Sequence, residues 1–423
     1  MRTVRAIALA AVAVLLTGSA ACGTGGEGTG VTVLASWTGG EGAAFRQVLD
    51  RFTAKTGIRV DLQGTRALNQ VLTAEVQKGT PPDIAVLPSP GDLASYVRRA
   101  AVRPLDDVID AGAEQSHSPQ WSRLERMNDA RYAVAVKTSL KSLIWYDPRR
   151  VPGLSGDEPP SWDELVRLSE RIGTGGAAAW CMGLGSTPVS GWPGTDWIED
   201  LVLHRAGPGA YQRWAAGQLA WTAPEIRRAW TAWGEIALRP GFVRGGASGL
   251  LLTDFADAGR PMHTDPPGCL LHHQASFVAG DAAGLDFVPF PSDGDRAWEV
   301  SADLAALFTD KPQARELMRF LATDEAQSIW PTVSRGSVFS ANRAVDPAIY
   351  GDPVTRRIAE TLTGQAALCF DASDLMPSAM TNAFYRAVLD YVQSPDRLDA
   401  ILAQLEQVRA AIPGTDWLNV PCG

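Results

Sequence analysis

The strongest constraint on this chain is an alternation that begins at Val31. The run VTVLASW (31–37) alternates and is β-branched, which predicts a strand. Phe45, Val48, Leu49 and Phe52 then recur at helical spacing and form one apolar stripe, with Gly57 as its stop. IRVDLQG (58–64) reads as a second strand, and Leu68, Val71, Leu72 and Val76 make a second helical stripe. PPDIAVLPSPGDL (81–93) reads as a short buried strand ending at Pro88, followed by a helix start. Strand and helix in strict alternation predict an α/β fold with a mostly parallel sheet and helices on its faces.

The middle of the chain reads differently. ARYAVAVKTSLKSLIWYDPRRV (130–151) holds two strand-like runs, Tyr132–Val136 and Leu143–Tyr146, and then a proline, as a crossing between lobes would. Ser161 and Glu164 predict a capping box before the stripe Leu165, Leu168 and Ile172. Ile226, Trp230, Trp233 and Ala237 predict another amphipathic helix. LDFVPFP (285–291) and EVSADLAALF (299–308) are apolar runs, and KPQARELMRFLATDEAQSIW (311–330) reads as a helical pair. A last helix is predicted over 395–412, with Leu398, Ile401, Leu402, Leu405 and Val408 inward. There is no internal repeat, and a chain of this length exceeds one typical core, so two lobes are expected.

Arg2 and Arg5 precede an apolar run, Ile7 to Leu16, too short to cross a bilayer, which reads as a signal peptide over 1–21. Ser19-Ala20-Ala21-Cys22 resembles a bacterial lipoprotein lipobox, whose cysteine carries the lipid after cleavage; Ser19 departs from the usual Leu, Val or Ile, which leaves plain secretion after Ala21 open. The glycine-rich stretch over 22–30 would serve as a flexible tether. The net charge of −9 argues against a nucleic-acid partner. Besides Cys22 there are four cysteines, Cys181, Cys269, Cys369 and Cys422; in an exported chain they suggest two disulfides, with three pairings open.

Seven segments, in this order, carry a family likeness: SWTGGEGAAF (36–45), GTPPDIAVLPSPG (79–91), LKSLIWYDP (140–148), SGWPGTDWIEDLVL (190–203), GCLLHHQASF (268–277), ATDEAQSIW (322–330) and FDASDLMPSAMTNAFYRAV (370–388). The chain resembles the extracellular solute-binding proteins of ABC transporters, in the carbohydrate-binding group that includes maltose-binding proteins, and most of all the α-glucoside-binding type. The resemblance implies a periplasmic-binding-protein-like fold of two α/β lobes with a hinge and an inter-lobe cleft. Lobe 1 would comprise 31–146 and 298–333, and lobe 2 would comprise 147–297 and 334–423, with crossings near Tyr146, Trp298 and Ser334. It also implies the pairings Cys181–Cys269 and Cys369–Cys422, both within lobe 2. The expected partners are a carbohydrate and the membrane permease, and the expected state is a monomer without a cofactor.

A sugar offers C–H faces and a rim of hydroxyls, so its site needs flat apolar area together with charged or amide groups. Trp192, in an apparent Pro-Gly turn, is a candidate platform, with ordinary packing as the alternative; Trp197 reads as core. Asp196 would bind a hydroxyl or cap the following helix. Trp37, Glu41 and Ser89 follow strands at the ends where open α/β sheets bind ligands, although Glu41 also suits a helix first turn. Lys141 lies in the expected crossing, as a ligand contact or a solvated side chain. His273 and Gln274 are candidate hydroxyl partners or structural hydrogen-bonders. Metal binding is not expected there, because His272 and His273 are adjacent on a strand and point to opposite faces. Arg335 would clamp hydroxyls or pair with a carboxylate, and Asp371 and Asp374 would enter the cleft or cap turns. No G-x-S-x-G, H-E-x-x-H or P-loop is present. Binding without chemistry is expected, with a secreted glycan-acting enzyme or a polyol-like solute as alternatives.

Overall fold

The computed structural model describes residues 30–423, apart from 111, 113–115, 156–158 and 295. The expected signal peptide, Cys22 and nearly all of the tether lie outside the described residues. The described strands are β1 (Gly30–Ala35), β2 (Arg59–Gly64), β3 (Ile84–Leu87), β4 (Arg126–Met127), β5 (Ala130–Arg131), β6 (Ala133–Leu140), β7 (Leu143–Tyr146), β8 (Ala178–Trp180), β9 (Cys269–His273), β10 (Asp286–Pro289), β11 (Trp298–Leu307) and β12 (Leu368–Phe370). They form a six-stranded sheet ordered β12-β11-β3-β1-β2, with β6 also on β11, and a four-stranded sheet ordered β10-β7-β9-β8; β4 and β5 make a separate hairpin.

The large sheet begins with the expected alternation. β1 pairs in parallel with β2 and β3, and helices α1 (Gly39–Thr56), α2 (Leu68–Lys78) and α3 (Pro90–Arg98) follow β1, β2 and β3. Period-two packing sorts the side chains by face. Val31, Val33 and Ala35 join Phe45, Val48, Leu49 and Phe52 of α1 in one apolar cluster. Leu34, Ala85 and Leu87 point the other way, into a cluster that continues into the body around the small sheet. The capping box at Ser161 and Glu164 is formed, and Leu398, Ile401, Leu402 and Leu405 are buried on the helix Leu398–Ala411.

Both disulfides form as the resemblance implies, Cys181–Cys269 and Cys369–Cys422. Two placements differ from the expected lobe limits. β7 pairs with β9 and β10, so the chain leaves the large sheet at Lys141–Ser142, ahead of Tyr146. β12 is parallel to the start of β11, so Cys369 sits on the edge of the large sheet and its disulfide ties the C-terminal tail there. Leu143–Tyr146 and Leu368–Phe370 are buried on both faces, and such runs carry no alternation to say which sheet receives them.

Candidate functional site

The strands that connect the two sheets are also the floor of a cleft. Along β6 and its exit, Lys137, Ser139 and Lys141 take every second position, and Glu299, Ser301 and Asp303 do the same along β11. Alternate residues share a face, and the pairing sets Lys137 opposite Asp303 and Ser139 opposite Ser301. The Lys141 amide donates to the Glu299 carbonyl at 2.8 Å. The register shifts between Asp303 and Leu304, with Val136 as the extra residue on β6. Such a bulge re-aims the side chains beyond it, and here the strand pair passes from apolar sheet interior to polar floor.

Over this floor lies a cavity of about 310 Å³. The large-sheet side contributes Trp37 after β1, Glu41 in the first turn of α1 and Arg66 after β2. Trp192 and Asp196 enter from the helix Trp192–Ala206, one turn apart on one face. Phe255 opens the short helix Phe255–Ala258 and Phe277 lies in the 3-10 helix Ser276–Asp281 on the same side, while Asp371, Asp374 and Tyr385 close the cavity from the C-terminal part of the chain. Trp192 meets Phe255 edge-on at 4.9 Å, and Phe277 lies 6.1 Å from Phe255 and 6.3 Å from Trp192. The three rings form one aromatic wall.

Two ionic groups flank the floor. At one end the Lys137 ammonium lies 2.5 Å from Glu41 and 3.5 Å from Asp303. Burial disfavours the charged lysine, but Glu41 and Asp303 hold it above its ordinary value. At the other end Lys141 lies 3.0 Å from Asp196, closer still to Asp371, and 3.9 Å from Glu299. Burial works against this ammonium too, and the surrounding carboxylates push its pKa well up. Asp371, although buried, is brought below its ordinary value by Lys141 and its hydrogen bonds. Burial raises Asp196 to about 6, with Lys141 offsetting only part of the effect. Burial and neighbouring carboxylates lift Glu199, Glu299 and Asp374 well above the usual range. Asp196, Glu299 and Asp371 bring oxygens within 4.8 Å of one another, as a metal site would. The Lys141 ammonium contacts all three, so the balancing cation is the protein's own side chain.

An aromatic wall of mutually inclined rings beside ion pairs and floor hydroxyls suits a solute with C–H faces and many hydroxyl groups. Residues 35–328 match the family described as bacterial extracellular solute-binding protein. The chain is a bacterial extracellular solute-binding protein. This binding protein is 32% identical over 377 residues to an osmoprotective compounds-binding protein from Synechocystis sp., covering 86% of this chain and 89% of the relative. It is 31% identical over 393 residues to an alpha-glucosides-binding periplasmic protein from Rhizobium meliloti, covering 88% and 85% of the two chains. Its two-lobe fold matches that of a bacterial solute receptor described as exclusively preferring β-D-galactopyranose, with a TM-score of 0.77 at 17% identity over 89% of this chain and 97% of that one.

Trp37, Glu41, Lys141, Trp192, Asp196, Asp371 and Asp374 all line the binding protein's cavity. Trp37 is only 3% exposed and packs against Phe45 and Trp330, so it offers a rim rather than a face. Trp192 starts a helix rather than sitting in a turn, because Pro193 falls in the first helical turn, where its missing N–H is no loss. That places Asp196 inside the helix, where it cannot act as the cap. Trp197 is core, as expected.

Four candidates lie elsewhere. Ser89 caps α3 through the Asp92 amide and donates to the Asp374 carbonyl at 2.7 Å, lining a neighbouring recess. His273 is buried beneath the floor, 2.7 Å from Asp200 and against Trp197. The Gln274 side chain accepts from the Ala275 amide, and Arg335 is an exposed residue with φ of 54°. Arg66, Lys137, Ser139, Phe255, Phe277, Ser301, Asp303 and Tyr385 line the cavity without having been candidates. The patterns K-x-S-x-K and E-x-S-x-D carry part of that signal, since polar groups at period two within apolar strands mark one exceptional face.

Proposed function

We propose that the protein captures a mono- or oligosaccharide of the α-glucoside class outside the membrane and hands it unchanged to an ABC permease. The observation that carries this reading is the aromatic wall of Trp192, Phe255 and Phe277 set beside the ion-paired floor of β6 and β11. The Rhizobium relative's name supports the ligand class. In this reading the lobes close about β6 and β11, residues 22–30 form the tether, and Cys22 carries a lipid. A glycan-acting enzyme finds no support in the site: Asp196 and Asp371 are both committed to Lys141, and Ser142, Asp200 and His204, which contact one another, are buried below the floor. The Synechocystis relative's name favours a second reading, a polyol-like osmoprotectant.

The test is a thermal-shift screen over glycosides and polyols, followed by chromatography of the recovered solute. A ligand present at 100 times its Kd should stabilise the fold by about 2.7 kcal/mol. An α-glucoside should raise the melting temperature and come back intact, and Trp192→Ala should weaken it about tenfold or more. A shift confined to polyols selects the second reading, and conversion of the solute overturns both.

A further inference from the structure

We infer that the Phe255 ring sets the length of the bound solute; this rests on the carbohydrate reading above. Phe255 lines the 310 Å³ cavity and also a second cavity of about 280 Å³, and among the described residues it is the one their linings share. The second cavity has the same mixed character as the first. Trp145, Met262 and Leu285 give it apolar surface, and Arg260, His263 and Asp281 give it polar groups. Joined, the two would make a groove for a chain of several rings. Divided, the first keeps its own volume and the adjoining recess of about 130 Å³ with which it shares Arg66, Asp374 and Tyr385, still toward the low end of the roughly 300–1,000 Å³ usual for small-molecule sites, which limits it to a short solute.

The ring is held as a partition from both sides of the cleft. Trp192 meets it at 4.9 Å and Phe277 at 6.1 Å on the small-sheet side. From the large-sheet side the Arg66 guanidinium lies 5.1 Å from its centroid, a cation–π contact across the lobes. A sugar unit added beyond Phe255 must displace the ring and break these contacts.

Calorimetric titration with three ladders tests this: glucose, maltose, maltotriose and maltotetraose; isomaltose and isomaltotriose; sucrose, raffinose and stachyose. In at least one ladder the two-unit member should bind the wild-type protein about tenfold or more tighter than the next longer member. Phe255→Ala should bring that ratio near one while the variant still melts cooperatively, and Phe255→Leu should give an intermediate ratio. Arg66→Ala, which leaves the ring in place but unbraced, should relax the ratio in part. Equal or tighter wild-type binding of the longer members overturns the length assignment alone, as does a ratio unchanged in Phe255→Ala. No binding by any member of the three ladders overturns the assignment together with the carbohydrate reading.

Discussion

Lys141 shows why this site is stable as built. A buried ammonium is tolerable only when it is paired, and Asp196 and Asp371 hold it while Glu299 lies beneath. Asp196 pays for this arrangement with an altered titration. Its folded value of about 6 lies above its ordinary 3.8, because burial outweighs the pull of Lys141. Between those limits the folded state holds the extra proton. This group's contribution to stability is therefore fullest below the lower limit and is lost as pH rises through about 6. In the proposed site binding runs the other way, because Asp196 as a carboxylate would accept a hydrogen bond donated by a sugar hydroxyl. The groups around it are Lys141, Asp371, His273, Glu199, Asp374 and Glu299. Affinity for the panel sugar should fall about tenfold from pH 7 to pH 5, and Asp196→Asn should bind more weakly at both pH values with little difference between them. A flat wild-type profile by calorimetry would remove Asp196 from the ligand's contacts.

Among the elements, the helix Trp192–Ala206 sets the geometry of the wall. It starts from Gly191, whose φ of 110° disfavours any side chain. A Cβ there would also lie 2.2 Å from the Tyr385 carbonyl on the helix Ser378–Gln393. Two cavity residues, Trp192 and Tyr385, thus depend on one close approach of backbones. Gly191→Ala should destabilise the fold by about 1–3 kcal/mol in urea unfolding and weaken sugar binding as well. Gly57→Ala, where φ is 75° with open space around it, should be destabilising without changing affinity. Equal affinity in Gly191→Ala and the wild type would show that this contact does not position the wall. β6 and β11 do the complementary work, turning from apolar packing to a polar floor at the Val136 bulge.

At the scale of the whole molecule, the chain passes between the two sheets' bodies at Lys141–Ser142, between β10 and β11, and again after β12 on the way to the helix Ser378–Gln393, and in the proposed function a rotation about these crossings opens or shuts the cleft. The contacts of Arg66 with Phe255 and of Lys137 with Phe277 cross between the bodies, the latter at 5.9 Å. Solution scattering should show a smaller radius of gyration when the panel sugar is added, and Arg66→Ala should shift the ligand-free protein toward the larger value. An unchanged radius with saturating ligand would mean that capture does not require closure.

What could be read before folding was what is local and periodic. The stripe of Phe45, Val48, Leu49 and Phe52, the box at Ser161 and Glu164, and the alternation from Val31 depend on neighbours within a few residues, and each element formed where those neighbours indicated. The order of seven segments carried the family and held ten of the eleven candidate residues, seven of which line the cavity. The rest depends on contacts between distant parts of the chain. Whether His273 faced a ligand or Asp200 turned on which side of β9 the helix Trp192–Ala206 covered, and Phe255 and Arg66 meet only because two bodies approach each other. A side chain's type and spacing specify the face it occupies, while what lies opposite that face is decided by the packing of the whole chain.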